Sequence, residues 1–213
     1  MRTLSLVSQK GGAGKTTLSV HLAVAAHMAG LSVAVVDLDP QASAWKWSER
    51  RKQEPQAATA SAEQLESIKE RANAGGLDLL IVDSAPHADR PALSACRAAD
   101  FILIPCRASI VDVDAIASTF DITVLARRPC AVVFNACKTT TDVDLAGARE
   151  GLRARGVPIY GGTLYDRVAF ARPLIGGQCA QESEPGGRAA QEVAALFEWT
   201  MEQMGLELPR AAA

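Results

Sequence analysis

Long uncharged apolar runs are missing from the sequence. No stretch reaches the ~18 apolar residues that a membrane-spanning helix needs. The N-terminal segment, MRTLSLVSQK, lacks the charged and then apolar layout of a signal peptide. These two absences argue against a membrane-embedded or a secreted chain. We therefore expect a soluble, cytoplasmic protein.

Cysteine is scarce and follows no spacing pattern. The five cysteines form an odd set without a C-x-x-C pair, which argues against a disulfide framework and against a zinc site. We expect reduced thiols that pack as small hydrophobic side chains. The five are Cys96, Cys106, Cys130, Cys137 and Cys179.

Excess charge is also absent. The formal net charge is -2, so the chain as a whole has no general attraction for nucleic acid or anionic lipid. The basic side chains are concentrated in residues 127–188, which carry nine basic and six acidic residues. Residues 189–213 carry one basic and four acidic residues. Any contact with nucleic acid must therefore come from a local patch.

Short apolar segments alternate with helical patterns along the chain, whose 213 residues suit a single domain, 1–213. The strand-like segments are mostly apolar throughout, as expected where helices cover both faces of a sheet. The predicted strands are Leu4–Val7, Val33–Val36, Leu77–Val82, Phe101–Ile104, Ala131–Phe134 and Val157–Tyr160. The predicted helices are Thr16–Ala29, Ala62–Ala74, Asp112–Leu125, Leu145–Arg155 and Ala189–Met204. This order predicts an α/β fold with a mostly parallel, twisted sheet and helices on both faces.

A glycine-rich turn follows the first predicted strand, in the segment SQKGGAGKTT at residues 8–17. Gly11, Gly12 and Gly14 allow the backbone, with Ala13 between them, to wrap tightly. Successive amide hydrogens then point at phosphate oxygens, and the following helix adds its positive N-terminal end. The turn therefore predicts a phosphate cradle.

The side chains around this turn supply cations and a hydroxyl. Lys15 would place a point charge at the β- and γ-phosphates, and the Thr16 hydroxyl would complete the coordination of Mg²⁺. With Thr17, these residues predict binding of ATP and Mg²⁺. The standard GxxxxGK[ST] pattern requires glycine where this sequence has Gln9, and an additional lysine, Lys10, precedes the glycine pair.

The segment KGGAGKTT resembles the deviant Walker A signature of the ParA/MinD family of ATPases. The resemblance implies a P-loop NTPase fold and a homodimer that forms on ATP binding. In that family the early lysine reaches across a nucleotide-sandwich dimer to the partner's phosphates, which implies the same role for Lys10. Such a cation would offset charge in the phosphoryl-transfer transition state as an arginine finger does. The alternative for Lys10 is a solvated surface lysine.

Acidic residues end two further predicted strands. VVDLDPQ, residues 35–41, places two acids at alternate positions at a strand's carboxyl end, where open α/β sheets bind ligands. The resemblance implies that Asp39 orients the attacking water, whereas we expect Asp37 to support the metal region or the loop. Asp83 ends an apolar run, where a lone carboxylate is costly unless it faces a metal or donors. It fits the Walker B acid, which holds Mg²⁺ through water.

Two later residues are assigned by the same resemblance. Asn135 follows a predicted strand, where the family uses an asparagine against the adenine edge, although asparagine at a strand end is often only a turn residue. Arg167, Arg172 and Arg188 lie in the basic segment. Arg188 falls near the start of the last helix, where the family places a residue for sequence-independent DNA contact. The alternative for Arg188 is an ordinary solvated arginine.

Three functions fit these residues. The first is a DNA partition ATPase for plasmid or chromosome segregation, which binds nonspecific DNA as an ATP dimer on the nucleoid and is released by partner-stimulated hydrolysis. The second is a positioning ATPase of the same mechanism with a protein cargo. The third is a membrane-recruited MinD-like regulator. The acidic balance of residues 189–213 argues against the third, because a membrane-surface helix favours flanking Lys and Arg.

Two related classes and one added domain are disfavoured. An iron-sulfur carrier of related fold would need a ligand cysteine pair, and a metabolic P-loop ligase or kinase would not need Lys10. With the P-loop at residue 10, we expect no N-terminal helix-turn-helix and no sequence-specific operator binding. The specificity would then come from a ParB-like protein, another centromere-binding protein or a cargo adaptor.

Overall fold

A single parallel sheet forms the centre of the fold. The structure is a computed structural model that describes residues 1–86, 89–138 and 142–209. Within these ranges the strands are β1 (Arg2–Leu6), β2 (Val33–Asp37), β3 (Gln56–Thr59), β4 (Leu79–Asp83), β5 (Phe101–Cys106) and β6 (Cys130–Phe134). They pair in the order β3-β2-β4-β1-β5-β6, with every pairing parallel.

Helices connect the strands. The helices of the described ranges are α1 (Lys15–Met28), α2 (Ser43–Arg51), α3 (Leu65–Ala74), α4 (Asp89–Ala98), α5 (Ile110–Ala126), α6 (Asp142–Ala154), α7 (Val168–Ala171), α8 (Ala180–Ser183) and α9 (Arg188–Met204). Two short 3₁₀ turns, Ala62–Gln64 and Pro173–Gly176, precede α3 and follow α7. The predicted α/β P-loop fold, with helices on both faces of a parallel sheet, is confirmed.

Alternate residues of β4, β5 and β6 enter two separate cores. Leu4 and Leu6 of β1 face the core that contains α1, α2 and α9, while Ile102 and Ile104 of β5 face the core that contains α4, α5 and α6. Because both faces of the sheet are covered, β4, β5 and the edge strand β6 bury every residue. This explains why their sequences show apolar runs rather than alternation.

The last helix packs as its pattern predicts. Its apolar stripe is buried in the first core and includes Val193, Leu196, Phe197, Thr200, Met201 and Met204. Gly205 ends the helix in the left-handed conformation, at φ 58°. All five cysteines are free and buried, as expected, and burial raises the pKa of the Cys96 thiol to about 12. None of the helices in the described ranges combines the length and apolarity that a membrane crossing requires.

Two of the strand assignments differ from the prediction. The segment predicted as a strand at Val157–Tyr160 makes only an isolated bridge, between Val132 and Ile159. The edge strand β3 was not predicted because it is short and mostly exposed, so its sequence carries no apolar run. Helices α2 and α4 were not predicted either. The predicted helix at Ala62–Ala74 is divided between a 3₁₀ turn and α3.

Candidate nucleotide-binding site

A cleft of about 440 Å³ opens at the carboxyl end of the sheet. Its floor is the glycine-rich turn between β1 and α1, and its walls come from the segments that follow β2, β5 and β6 and from the chain around α7. The lining residues include Gly12, Gly14, Lys15, Thr16, Thr17, Asp39, Arg107, Asn135, Tyr165, Arg167, Phe170 and Leu174. Most of the residues predicted to bind phosphate, namely Gly12, Gly14 and Lys15 to Thr17, therefore share one cleft with Asp39 and Asn135.

The turn depends on glycine at two positions. Gly12 has φ 73° and Gly14 has φ 99°, both in the left-handed region. A Cβ atom on Gly14 would also overlap the side-chain amide of Asn135. Gly14 is the N-cap residue of α1, and neither a side-chain cap nor an acidic residue occupies the first turn of that helix. The helix N-terminus is therefore open to an anion in the cleft.

Lys15 folds back over the turn that precedes it. Its Nζ donates to the carbonyl oxygen of Ser8 at 2.9 Å and to that of Lys10 at 3.4 Å. Only 6% of the residue is exposed. Burial lowers the pKa of Lys15, and the negative charges of Asp83 and Asp39 oppose that shift. The ammonium is thus already desolvated and fixed at the position where phosphate would bind.

Asp83 is a buried carboxylate at the end of β4. The residue is 0% exposed, and neither of its oxygens has a hydrogen-bond partner among the described residues. Burial raises its pKa to about 7, while the nearby Thr16 hydroxyl, which does not reach hydrogen-bond geometry, favours the ionised form. A buried carboxylate with no donor is costly unless a cation neutralises it. The two orphaned oxygens beside Thr16 therefore fit a magnesium site.

The two acids after β2 have different surroundings. Asp37 is buried, and its carboxylate accepts hydrogen bonds from the backbone N–H of Asp39 at 3.0 Å, Ala44 at 2.8 Å and Trp45 at 3.2 Å. It therefore holds the loop onto the start of α2, one of the two roles expected for it. Asp39 is half-buried and lines the cleft, and its Oδ1 accepts from the N–H of Gln41 at 2.8 Å.

Asn135 lies against the glycine-rich turn. Its Nδ2 donates to the carbonyl oxygen of Ala13 at 2.9 Å, and the residue is buried. This bond connects the end of β6 to the turn. Contact between Asn135 and an adenine ring stays a prediction.

Lys10 does not line the main cleft. It lines a smaller recess on the β5 side, together with Ser8, Ala13, Pro105 and Arg107. A contact from Lys10 to a second protomer stays a prediction.

The basic residues of the late segment are used in different ways. Arg188 is exposed at the first position of α9, beside a groove that includes Thr163 and Gln191. Arg167 is paired with Glu192, with 2.6 Å between Nη2 and Oε1. A role for Arg188 in DNA binding stays a prediction.

Arg107 is a cleft residue that was not predicted from the sequence. It follows β5 directly and lines both the main cleft and the recess at Lys10. A Cβ atom built on Gly12 would lie 3.9 Å from its Nη2 atom. The available signal was its position, since it stands at the carboxyl end of a central strand.

A partly buried ion pair fixes one wall of the cleft. Arg51, at the end of α2, donates to both carboxylate oxygens of Glu182 at 2.8 Å and to the carbonyl oxygen of Gly177 at 3.1 Å. Burial opposes ionisation of Glu182, but the hydrogen bonds from Arg51 and from the N–H of Cys179, together with the positive charge of Arg51, lower the pKa of that carboxyl. The ion pair therefore joins α2, which follows the Asp39 loop, to the segment that places Leu174 in the cleft.

His21 connects α1 to the same segment, at Ala180. The ring is fully buried, with Nδ1 2.7 Å from the carbonyl oxygen of Thr17 and Nε2 3.3 Å from the N–H of Ala180. A neutral ring that donates from Nδ1 and accepts at Nε2 satisfies both contacts. Burial lowers the pKa of His21 to about 4.

This histidine should make the fold sensitive to acid. In the unfolded chain, His21 binds a proton as the pH falls below about 6.5, whereas in the folded chain it stays neutral down to about pH 4. The free energy of unfolding therefore falls as the pH falls between these two values. Between pH 7 and pH 5 the free energy of unfolding should drop by about 2 kcal/mol through this group alone. In denaturant unfolding, the free energy of unfolding of His21→Gln should not show this drop between pH 7 and pH 5. His27→Gln, which changes a histidine on the exposed end of α1, should still show it. Equal pH dependence in His21→Gln and wild type would contradict the assignment.

The sequence and the fold are similar to those of known proteins. A model of the CobQ/CobB/MinD/ParA nucleotide binding domain matches residues 4–178. The maintenance of carboxysome distribution protein A of Gloeobacter kilaueensis is 31% identical over 211 residues, covering 95% of this chain and 94% of that protein. Protein ParA of Rhizobium radiobacter is 28% identical over 204 residues, covering 89% and 90%. Cyanothece McdA, solved as an aspartate-to-alanine variant in complex with ATP, has a TM-score of 0.74 at 20% identity over 98% of each chain.

Proposed function

Since the chain belongs to the CobQ/CobB/MinD/ParA family of nucleotide-binding domains and is an ATPase of the ParA/MinD type, we propose that it partitions DNA. In this proposal the protein dimerises on ATP, the dimer binds DNA without sequence preference, and a partner protein releases it by stimulating hydrolysis. One observation carries the ATP-dependent part of the proposal: the uncapped start of α1, the desolvated Lys15 and the orphaned carboxylate of Asp83 meet at one edge of the sheet.

The residues of the cleft divide the work of hydrolysis. The amides of Gly11–Thr17 hold the phosphates, and Lys15 supplies a fixed positive charge beside them. Thr16 and, through water, Asp83 would hold Mg²⁺, which would offset charge on the phosphate oxygens. A metal that keeps several waters needs few protein ligands, which agrees with the lack of a cluster of three or more His, Cys, Asp or Glu ligands in the described ranges.

In this proposal Asp39 orients the attacking water. Its Oδ1 is held by the N–H of Gln41, while the residue lines the cleft that contains Lys15 and Thr16. The loop that carries it is fixed by Asp37 at the start of α2. A carboxylate held this way accepts a hydrogen bond from water without a large conformational cost.

Dimerisation supplies the second cation. Lys10 lies outside the main cleft of its own chain, so its ammonium is not positioned beside the phosphates that Lys15 would contact. In the proposed sandwich dimer it reaches the partner's nucleotide, and ATP hydrolysis then depends on assembly.

A protein cargo is the second candidate. It is favoured by the similarity to a carboxysome distribution protein over nearly the whole chain, while the similarity to ParA favours DNA. Both candidates include the DNA-binding step and differ in the stimulating partner, a ParB-like or other centromere-binding protein in one and a cargo adaptor in the other. Hydrolysis measured with each purified partner separates them.

A membrane-recruited regulator has less support. The apolar stripe of α9 is buried against α1 and β-strand residues such as Phe101, so it does not form a membrane-facing surface. Residues 189–213 also carry one basic and four acidic residues, which disfavours binding to anionic lipid.

DNA binding should depend on salt and on Arg188. Each DNA phosphate that a basic side chain neutralises adds a slope of about -0.9 to log affinity against log salt. In the ATP-bound Asp39→Ala dimer, Arg188→Ala should make that slope shallower by about 0.9 for every phosphate that Arg188 neutralises. It should also weaken binding equally on unrelated duplexes. Gel-shift titrations of random duplex at several salt concentrations measure both effects.

The matched control is Arg97→Ala, which removes an exposed arginine from the last turn of α4, at the opposite edge of the sheet. It should leave the slope unchanged, and neither variant should alter ATP binding. No shift of random duplex, together with co-sedimentation on anionic liposomes, would contradict DNA partition and favour the membrane class.

A further inference from the structure

Arg107 occupies a special position among the arginines near the cleft. It stands directly after β5, is exposed, and lines the main cleft together with Gly12, Gly14 and Lys15. Its Nη2 atom lies 3.9 Å from the point where a Cβ atom on Gly12 would lie. The guanidinium therefore sits directly over the glycine-rich turn.

The guanidinium of Arg107 is also uncommitted. Within the described part of the chain, its side chain makes no hydrogen bond and no ion pair. Arg167, the other arginine of the cleft, is bound to Glu192 through Nε and Nη2. Among the described residues, therefore, nothing occupies the donors of Arg107, whereas Glu192 occupies Nε and Nη2 of Arg167.

The guanidinium group and its position over the glycine-rich turn indicate a phosphate ligand. A planar group with several N–H donors binds phosphate in a bidentate manner, which an ammonium does not do. The glycine-rich turn of a P-loop cradles the α- and β-phosphates, while its lysine reaches the β- and γ-phosphates. A cation over Gly12 is therefore nearest the phosphates that ATP and ADP share.

We propose that Arg107 is a phosphate-binding residue of the nucleotide site, which contacts the α- or β-phosphate of a nucleotide held in the P-loop of its own chain. The proposal rests on the proposed function and adds a residue to it. Lys15 approaches the phosphates from the buried side, where it is fixed by the Ser8 carbonyl. Arg107 approaches from the exposed side, and the bound phosphates lie between two cations.

Nucleotide titrations with two substitutions test this assignment. Arg107→Gln should weaken Mg-ADP and Mg-ATP binding by about tenfold each, because a charge-assisted hydrogen bond to phosphate is removed. Arg107→Lys, which keeps the charge without the bidentate geometry, should recover part of the affinity. Mg-ADP is the decisive probe, because the proposed dimer requires ATP and ADP binding therefore reports on a single chain.

Arg97→Gln is the matched control, since it removes an exposed guanidinium far from the cleft and should leave both affinities unchanged. Thermal unfolding of each variant checks that the fold is intact. Wild-type affinity of Arg107→Gln for Mg-ADP would overturn the assignment while leaving the proposed function in place, even if ATP binding were weakened. Failure of the wild-type protein to bind either nucleotide would instead remove the proposed function itself.

Discussion

Replacing Lys15 with alanine should abolish ATP binding. The substitution removes a buried ammonium that is fixed by the carbonyl oxygens of Ser8 and Lys10 and that faces the negative charges of Asp83 and Asp39. Removing two charge-assisted hydrogen bonds to phosphate corresponds to at least about 3 kcal/mol, or more than about 100-fold in affinity. Calorimetric titration with Mg-ATP measures the effect.

Lys69→Ala is the matched control for this substitution. The Nζ of Lys69 donates to the carbonyl oxygen of Ala98 at 2.7 Å, so the variant also breaks a bond from lysine to a carbonyl, but outside the cleft. It should bind ATP as the wild type does. Undiminished binding by Lys15→Ala would contradict the assignment of the P-loop and, with it, the proposed function.

The central part of the fold was predictable because the strands are covered on both faces. Segments such as Leu79–Asp83 bury every residue, and only such strands give uninterrupted apolar runs. The side chains of the edge strand Gln56–Thr59 are mostly exposed, so its sequence resembles a loop. Val157–Tyr160 has a strand-like apolar pattern, but it pairs with β6 through a single isolated bridge. A local sequence pattern does not reveal how many residues of a segment pair with a neighbouring strand.

The candidate site was predictable where a motif fixes the backbone. Residues of the glycine-rich turn, Asp39 and Asn135 are separated by up to about 120 positions, yet they line one cleft because parallel strands end at the same edge. Arg107 was not predicted because an arginine after a strand carries no motif. The ion pair between Arg51 and Glu182 depends on tertiary packing and has no signal in the sequence.

Replacing Asp39 with alanine should trap the protein as an ATP-bound dimer. The substitution removes the carboxylate proposed to orient water, so hydrolysis should fall by at least about 100-fold. The phosphate site should survive, because Asp37 still holds the loop through the N–H groups of residue 39, Ala44 and Trp45. Light scattering with Mg-ATP should then give twice the 22.4 kDa mass of one chain.

A second substitution separates trapping of the dimer from simple loss of catalysis. Adding Lys10→Ala to Asp39→Ala removes the cation proposed to reach the partner's nucleotide, while Lys15 and the glycine-rich turn remain. The double variant should bind ATP and stay a monomer, because the attraction between Lys10 and the partner's phosphates is the interaction that ATP adds to the interface. A dimer that forms equally well without Lys10 would leave that lysine no role in assembly. The same monomer mass for Asp39→Ala with and without ATP would exclude the sandwich dimer altogether.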